Sequence, residues 1–313
     1  MLPQQALQGD GRPVPDPGHL PATWAALSGA AAALSTAGCV VALARPGAVY
    51  DRETVTMADA ATAQDLTGLV VAPILLVLTY AAWRGHLRAW LALLGVLAFT
   101  VYNYTIYVFS LTFGPLFLVW VAVWGLSLYA LIGGMAALRP SVVSSRFAQV
   151  GVRLPGWFLI GMAGLFCALW LREIVPDLLA GRPSTSAAEW QVPTNPVHVL
   201  DLGFFLPAVS AGGVLLLRRQ AFGVLSAIGL LVFLELTCLA VILNPLVANA
   251  HGHTPGWSVL APIGVVAVAT LIVMVRLVRS VRVTRPDRTP GRSTDAVGPL
   301  VPVPGPSKPL ASR

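Results

Sequence analysis

Long apolar stretches, separated by short polar ones, run through most of the 313-residue chain. Each stretch is close to the roughly 20 residues that a helix needs to cross about 30 Å of hydrocarbon. We therefore predict an all-α polytopic transmembrane bundle. Its eight spans are expected at about residues 22–44, 66–83, 89–109, 114–138, 154–172, 199–217, 221–244 and 257–278.

A weak internal repeat divides the spans into two sets of four. Aligning Pro73 with Pro207 also places Gly95 opposite Gly229 and Phe99 opposite Phe233. The repeat predicts two four-helix units, residues 21–139 and 154–280, joined by a cytoplasmic loop at 140–153. Because each unit has an even number of spans, the two would share one orientation and be related by an axis along the membrane normal. The identities are few, so chance similarity between two leucine-rich helices is the alternative.

Composition supports the membrane class and narrows the chemistry. Hydrophobic residues make up 56% of the chain and charged residues 11%, whereas soluble domains average about 25% charged. Cys39, Cys167 and Cys238 all fall inside apolar runs, so no disulfide framework or CxxC motif is available. No nucleotide-binding, dinucleotide-binding or zinc-protease motif occurs either. We predict no cofactor and no bound metal.

The basic residues are distributed unevenly across the predicted spans. Of the 20 Lys and Arg residues, all but Arg45, Arg52, Arg172 and Arg182 fall on the side that holds both termini. By the positive-inside rule, both termini are cytoplasmic. Residues 1–20 and the Arg- and Pro-rich residues 281–313 are expected to be disordered tails, the latter contacting anionic lipid head groups. The net charge of +7 therefore indicates membrane topology and not nucleic-acid binding.

Glu235 is the acidic residue that a bilayer penalises most. It lies near the middle of the seventh apolar run, where a charged side chain costs about 2.5–3.5 kcal/mol, so we expect a largely protonated carboxyl. One interpretation is a structural hydrogen bond between helices. The other is a catalytic proton donor or acceptor, or a ligand contact.

A second polar group is expected near the outer ends of the spans. Asn103 and Tyr107 are four residues apart and share a helix face, and a buried amide needs hydrogen-bond partners. With Asp65 and Asn244 they are predicted to line a polar pocket that faces outward. The alternative is that the tyrosine forms part of an interfacial aromatic belt and Asp65 is an N-terminal helix cap.

Histidines add two further hypotheses on the outer side. His198 and Asp201 are three residues apart and are candidate catalytic proton-transfer partners, although Asp201 in a first helical turn would also be favoured by the helix dipole. His251 and His253 form a His-x-His pair, which we interpret as solvated. A metal site there is the alternative, and His198 would be the residue to complete it.

Several short segments carry a resemblance to other proteins: Arg45-Pro46-Gly47, Asp51-Arg52, Gln64-Asp65-Leu66, Tyr102-Asn103-Tyr104, Phe113-Gly114-Pro115-Leu116-Phe117 and Leu126-Ser127-Leu128-Tyr129. At these segments the chain resembles an uncharacterised group of bacterial, actinobacterial-looking multi-pass membrane proteins. The resemblance covers most of residues 40–240 and implies a plasma-membrane location but no activity. Three functions therefore stay open: a membrane-embedded enzyme acting on a lipid or isoprenoid-like substrate, a small-solute or proton-coupled permease, and an accessory subunit.

Overall fold

The computed structural model describes residues 18–138 and 151–280, and this part of the chain contains no strand. Eight of its helices are long and apolar enough to cross a membrane, which confirms the predicted all-α class and the number of spans. They are α1 (Ala22–Ala44), α2 (Val55–Trp83), α3 (Leu87–Ser110), α4 (Phe117–Ala137), α5 (Arg153–Leu179), α6 (Pro196–Leu217), α7 (Ala221–Ala250) and α8 (Leu260–Ser280).

The outer surface of the helices is apolar. Leu118 is 76% exposed and Val265 is 70% exposed, and many other large apolar side chains point away from the bundle. A protein surrounded by water rarely exposes so much contiguous apolar surface. The bundle is therefore that of an integral membrane protein, with lipid as its solvent.

Several helices extend beyond their apolar runs. α2 starts at Val55, eleven residues before the predicted span, because the Thr54 side chain accepts a hydrogen bond from the Met57 N–H and caps the helix there. α5 continues to Leu179, and α7 passes Pro245 to end at Ala250. The predicted loops at 45–64 and 173–197 are correspondingly shorter, and they contain the short helices Pro46–Val49 and Thr185–Glu189.

The helices pack in two rings of similar order. α1 contacts α2 and α4, and α3 also contacts α2 and α4; in the second ring α6 contacts α5 and α7, and α8 contacts α7 and, more weakly, α5. Contacts of α7 with α2 and α3 join the rings. These are the neighbours that two four-helix units would have, and the division into two units itself stays a prediction. The predicted tails and the 140–153 loop fall almost wholly outside the described residues.

α3 and α7 cross at the centre of the bundle through two glycines. A Cβ atom on Gly95 would overlap the backbone of Gly229, so the helices approach here as closely as their backbones allow. One turn further along, the rings of Phe99 and Phe233 meet edge to face with their centroids 5.9 Å apart. Both contacts join residues that the repeat aligns, and equivalent residues meet in this way at a two-fold axis.

α6 contains one widened turn. Residues Asp201–Phe205 form a π-helical turn, in which the Leu206 N–H donates to the Asp201 carbonyl five residues back. Pro207 follows immediately and has no N–H to continue the regular pattern. Such single π turns are frequent at functional sites. Asp201, the first residue of this turn, is buried.

Candidate functional site

A cavity of about 260 Å³ lies between α2, α3 and α7 at the distal end of the bundle, which we define as the end opposite to the start of α1 and the end of α8. Its walls come from the first half of α2 and from the second halves of α3 and α7. Trp170 of α5, Trp190 and Val197 complete the wall. The cavity is lined by Met57, Ala60, Ala61, Gln64, Phe99, Tyr102, Asn103, Ile106, Tyr107, Leu111, Trp170, Trp190, Val197, Thr237, Ala240, Val241 and Asn244.

The lining is mainly apolar and carries no charged side chain. Its most polar groups are the carboxamides of Gln64, Asn103 and Asn244. Within residues 18–138 and 151–280, none of these three carboxamides makes a side-chain hydrogen bond to the protein. Each can therefore both donate to and accept from a neutral group placed in the cavity. Asn103, Tyr107 and Asn244 lie in this lining, and their predicted role in binding a ligand stays a prediction.

Asp65 lies behind the cavity wall and not in it. Its Oδ2 accepts a hydrogen bond of 2.6 Å from the Tyr50 hydroxyl. The Tyr107 hydroxyl shares its single proton between the Ala61 carbonyl at 2.9 Å and the Oδ1 of Asp65 at 3.1 Å. Tyr50 belongs to the segment between α1 and α2, where burial and the Asp65 carboxylate raise the pKa of its hydroxyl, which therefore stays protonated and donates. Because Asp65 is eleven residues into α2, it is not a helix cap. It fixes the orientation of Tyr107 in the wall.

Asp201 has a similar arrangement on the other side of the cavity. Its Oδ1 accepts from the Tyr102 hydroxyl at 2.9 Å, and its Oδ2 accepts from the Trp170 indole N–H at 2.7 Å. Both donors belong to the cavity lining, so Asp201 also holds wall residues in place. The Asn195 side chain caps α6 by accepting from the Val197 N–H, which leaves Asp201 inside the helix and not at its cap.

His198 makes no hydrogen bond to its predicted partner among the described residues. Its ring packs against Trp170 with centroids 4.7 Å apart, and its Nε2 lies 3.7 Å from the Glu173 carboxylate. No hydrogen bond joins His198 to Asp201 in the part of the chain that the structure describes, since Tyr102 and Trp170 are the partners of that carboxylate. The proposed proton-transfer pair is therefore not assembled in this conformation.

Glu235 lies apart from the cavity. It is half-buried in the middle of α7, and its buried Oε2 has no hydrogen-bond partner among the described residues. It does not line the distal cavity. The structural role that we considered for it requires a partner on another helix, and the catalytic role requires contact with a ligand space. Within residues 18–138 and 151–280, this carboxyl makes no side-chain hydrogen bond, and it lies outside the distal cavity.

A second cavity, of about 310 Å³, lies nearer the terminal end of the bundle. It is formed by the first halves of α3 and α7 with parts of α4 and α6, and its lining is almost entirely apolar. Phe99 lines the distal cavity and Phe233 lines this one. Those two rings contact each other, and the ring of Phe205 stacks on Phe233 with centroids 4.0 Å apart, so an aromatic contact joins a lining residue of one cavity to a lining residue of the other.

Asp59 forms a third polar group that the sequence analysis did not identify. Its Oδ1 lies 2.7 Å from the Nδ1 of His251, and its Oδ2 lies 2.7 Å from the Nδ1 of His253. His198, which we had considered as the third member of a metal site, lies against Trp170 and Glu173 and is not part of this cluster. Asp59 was missed because residues 45–64 were interpreted as a loop, and its two partners are more than 190 positions away.

The comparisons with known proteins give no further guide to function. No family model, curated protein or solved structure matches the chain. A function for the protein is therefore inferred from the geometry of the bundle alone.

Proposed function

We propose that the protein is an integral plasma-membrane protein whose distal cavity opens outward and binds a small amphipathic molecule. The ligand class is a lipid or isoprenoid-like compound with a neutral, hydrogen-bonding head group. The observation that carries this proposal is the set of three unpaired carboxamides, Gln64, Asn103 and Asn244, in an apolar and uncharged lining. Such groups favour a neutral polar ligand over an ion, because a charged solute would be desolvated there without a counter-charge.

The size of the cavity agrees with a ligand that enters only in part. Its volume of about 260 Å³ lies just below the roughly 300–1,000 Å³ of typical small-molecule sites. A head group and the first part of a chain would fill it, and the remaining chain would extend into surrounding lipid. Conversion of the bound molecule would need a reactive group, which the cavity lining does not supply. Glu235 does not line the cavity, and this argues against it as the acid of a membrane-embedded enzyme.

Filling the cavity tests the proposal. Val241 lines the cavity, whereas Val265 is an exposed valine on α8. After purification in mild detergent, mass spectrometry of extracted compounds should find a retained amphipathic molecule in the wild type and in Val265→Phe. Val241→Phe should retain less than about a tenth as much, because added bulk in a filled space is poorly tolerated. Equal retention by both variants, or none in the wild type, contradicts the proposal.

The carboxamides can be tested separately from the cavity volume. Asn244 lines the cavity, and Asn249, on the same helix, is exposed and serves as the matched control. Replacing Asn244 with leucine should weaken binding of the retained molecule by roughly 5–10-fold, the effect of one lost hydrogen bond. The Asn249→Leu variant should bind like the wild type. Unchanged affinity for Asn244→Leu would show that the ligand is held by apolar contacts alone.

A permease is the second candidate, and the paired cavities favour it. They occupy opposite halves of the α3–α7 pair, and the aromatic contact of Phe99 with Phe233 joins a lining residue of one to a lining residue of the other. Phe233→Ala should join the two spaces, so proteoliposomes with this variant should admit small neutral solutes such as glycerol faster than wild-type proteoliposomes. If the variant and an empty-liposome control show the same influx in a stopped-flow light-scattering assay, the permease is excluded.

The outward orientation of the cavity rests on the arginine distribution. We further propose that the membrane is a bacterial plasma membrane, with both termini cytoplasmic and the basic tail beyond residue 280 contacting anionic lipids. Single cysteines replacing Ala188 and Arg84, both exposed but at opposite ends of the bundle, distinguish the two orientations in a cysteine-free background. An impermeant maleimide applied to intact cells should modify the first and spare the second, and the reverse pattern would invert the topology.

A further inference from the structure

Asp59, His251 and His253 bring three potential ligand atoms into one small volume at the distal end of the bundle. The two imidazole Nδ1 atoms each lie 2.7 Å from a different oxygen of the Asp59 carboxylate, and all three groups offer a ligand atom within 4.8 Å of the others. The Asp59 side chain is 5% exposed, whereas the imidazoles are 42% and 39% exposed. The cluster is therefore buried on the carboxylate side and open to solvent on the imidazole side.

The end of α7 positions the two imidazoles. His253 N–H donates to the Ala248 carbonyl at 2.9 Å and Gly252 N–H donates to the Asn249 carbonyl at 3.1 Å, which is the Schellman pattern of helix termination. Gly252 has a φ of +77°, a conformation that side-chain-bearing residues rarely adopt. This reversal of the chain turns the residues on both sides of the glycine toward Asp59 on α2. The backbone thus holds both imidazoles near the carboxylate.

We propose that Asp59, His251 and His253 form a binding site for a divalent transition metal of the zinc class. Imidazole nitrogen and carboxylate oxygen are zinc ligands, and three protein ligands with a water molecule in the fourth position make a common tetrahedral site. Zinc bonds of about 2.0–2.1 Å place neighbouring ligand atoms about 3.3 Å apart. The two present 2.7 Å separations would widen by about half an ångström, and the remaining separations between ligand atoms, all within 4.8 Å, would adjust to a similar spacing. The partly exposed imidazoles leave room for the water.

Metal binding needs no net loss of protons from the imidazoles. In the metal-free cluster each Nδ1–H donates to one carboxylate oxygen. When the proton of a neutral imidazole resides on Nε2 instead, the Nδ1 lone pair becomes available and the carboxylate keeps its negative charge. The site then presents one negative charge and two neutral nitrogens to the cation. Hard cations such as Mg²⁺ prefer sites made of oxygen ligands, so zinc and not magnesium is the expected occupant.

The opposing interpretation is a hydrogen-bonded clamp that joins the end of α7 to α2 without any metal. Both interpretations use the same three residues, so loss of stability in their variants does not distinguish them. Direct zinc binding does. The inference is independent of the proposed ligand cavity, because none of the three residues lines it.

The test uses full-length, tag-free protein in detergent, titrated with zinc chloride against a chromophoric chelator, with magnesium chloride as the ion control. The wild type should bind one zinc ion per chain and melt at a higher temperature with zinc than without it. Asp59→Asn, His251→Gln and His253→Gln should each weaken zinc binding by at least about 10–100-fold. His86→Gln, which alters a histidine bonded to the Ala81 carbonyl, should bind zinc like the wild type.

A spectroscopic measurement covers the case in which a variant does not fold. X-ray absorption of the zinc-loaded wild type should show two imidazole ligands and oxygen ligands at about 2.0–2.1 Å. The proposal is overturned if the wild type retains no zinc at micromolar concentration, if the folded His253→Gln variant binds zinc as tightly as the wild type, or if the absorption spectrum lacks imidazole scattering. Those outcomes assign the three residues to the hydrogen-bonded clamp.

Discussion

Buried carboxyl groups have different hydrogen-bonding surroundings at the distal end of the bundle and in the middle of α7. At the distal end, both oxygens of Asp201 accept hydrogen bonds from aromatic side chains. Asp65 accepts from the Tyr50 hydroxyl and shares the Tyr107 hydroxyl proton with the Ala61 carbonyl, and these aromatic side chains form or support the cavity wall. In the middle of α7, the buried oxygen of Glu235 has no partner within the described residues. Carboxylates with satisfied oxygens position neighbouring side chains, whereas an acid inside a span does not by itself mark a site.

The largest effect is expected at Asp65. Replacing it with leucine removes the acceptor of the buried Tyr50 hydroxyl and one of the two acceptors of the Tyr107 hydroxyl, which should cost about 3 kcal/mol of stability. Asp65→Asn keeps one acceptor oxygen and should lose about half as much. Thermal unfolding in detergent, followed by tryptophan fluorescence, measures both. A leucine variant as stable as the wild type would remove the distinction between Asp65 and Glu235.

An intermediate effect is expected for the pair formed by Tyr102 and Asp201. In a double-mutant cycle, Tyr102→Phe and Asp201→Asn should show a coupling energy of about 0.5–3 kcal/mol, because one hydrogen bond joins them. Tyr102→Phe and Asp65→Asn share no partner and should be additive within about 0.5 kcal/mol. The cycle therefore tests whether each carboxylate holds its own section of wall. Equal coupling in both pairs would show that the two carboxylates act as one network.

The smallest effect is expected when Glu235 is replaced by an uncharged residue. Glu235→Gln should change stability by less than about 0.5 kcal/mol, and Glu235→Leu should be neutral or stabilising, because no hydrogen bond is lost and a buried polar oxygen is removed. Glu235→Lys should fail to give monodisperse protein, since a buried ammonium without an acidic partner must be desolvated. If Glu235→Leu is as destabilising as Asp65→Leu, the carboxyl has a structural partner after all.

The spans could be predicted from the sequence because hydropathy is a local property. Their ends could not, since the first turns of α2 contain Thr, Asp and Gln residues that the bilayer would exclude, and the cap at Thr54 determines where the helix begins. The segment between Thr54 and Gln64 could have been assigned to the helix from its many alanines and this capping residue. Asp59 would then have been placed on a helix and not in a loop.

The composition of the site depended on contacts that no local pattern contains. Asn103, Tyr107 and Asn244 lie in the cavity lining, and the binding role that their polarity predicts stays a prediction. The partners of the carboxylates were not predicted, because Tyr102 and Asp201 are 99 positions apart and Asp59 and His251 are 192 positions apart. A single sequence gives the polarity of a residue but not the side chain that tertiary packing places beside it.

The close backbone contact of Gly95 with Gly229 also restricts how the bundle can move. Because α3 and α7 already touch there, they cannot approach further at that level. A change in their crossing angle would therefore rotate the two helices about this contact. A change in crossing angle that widens the distal space alters the terminal space through the same rotation. The volumes of the two cavities are therefore expected to change together.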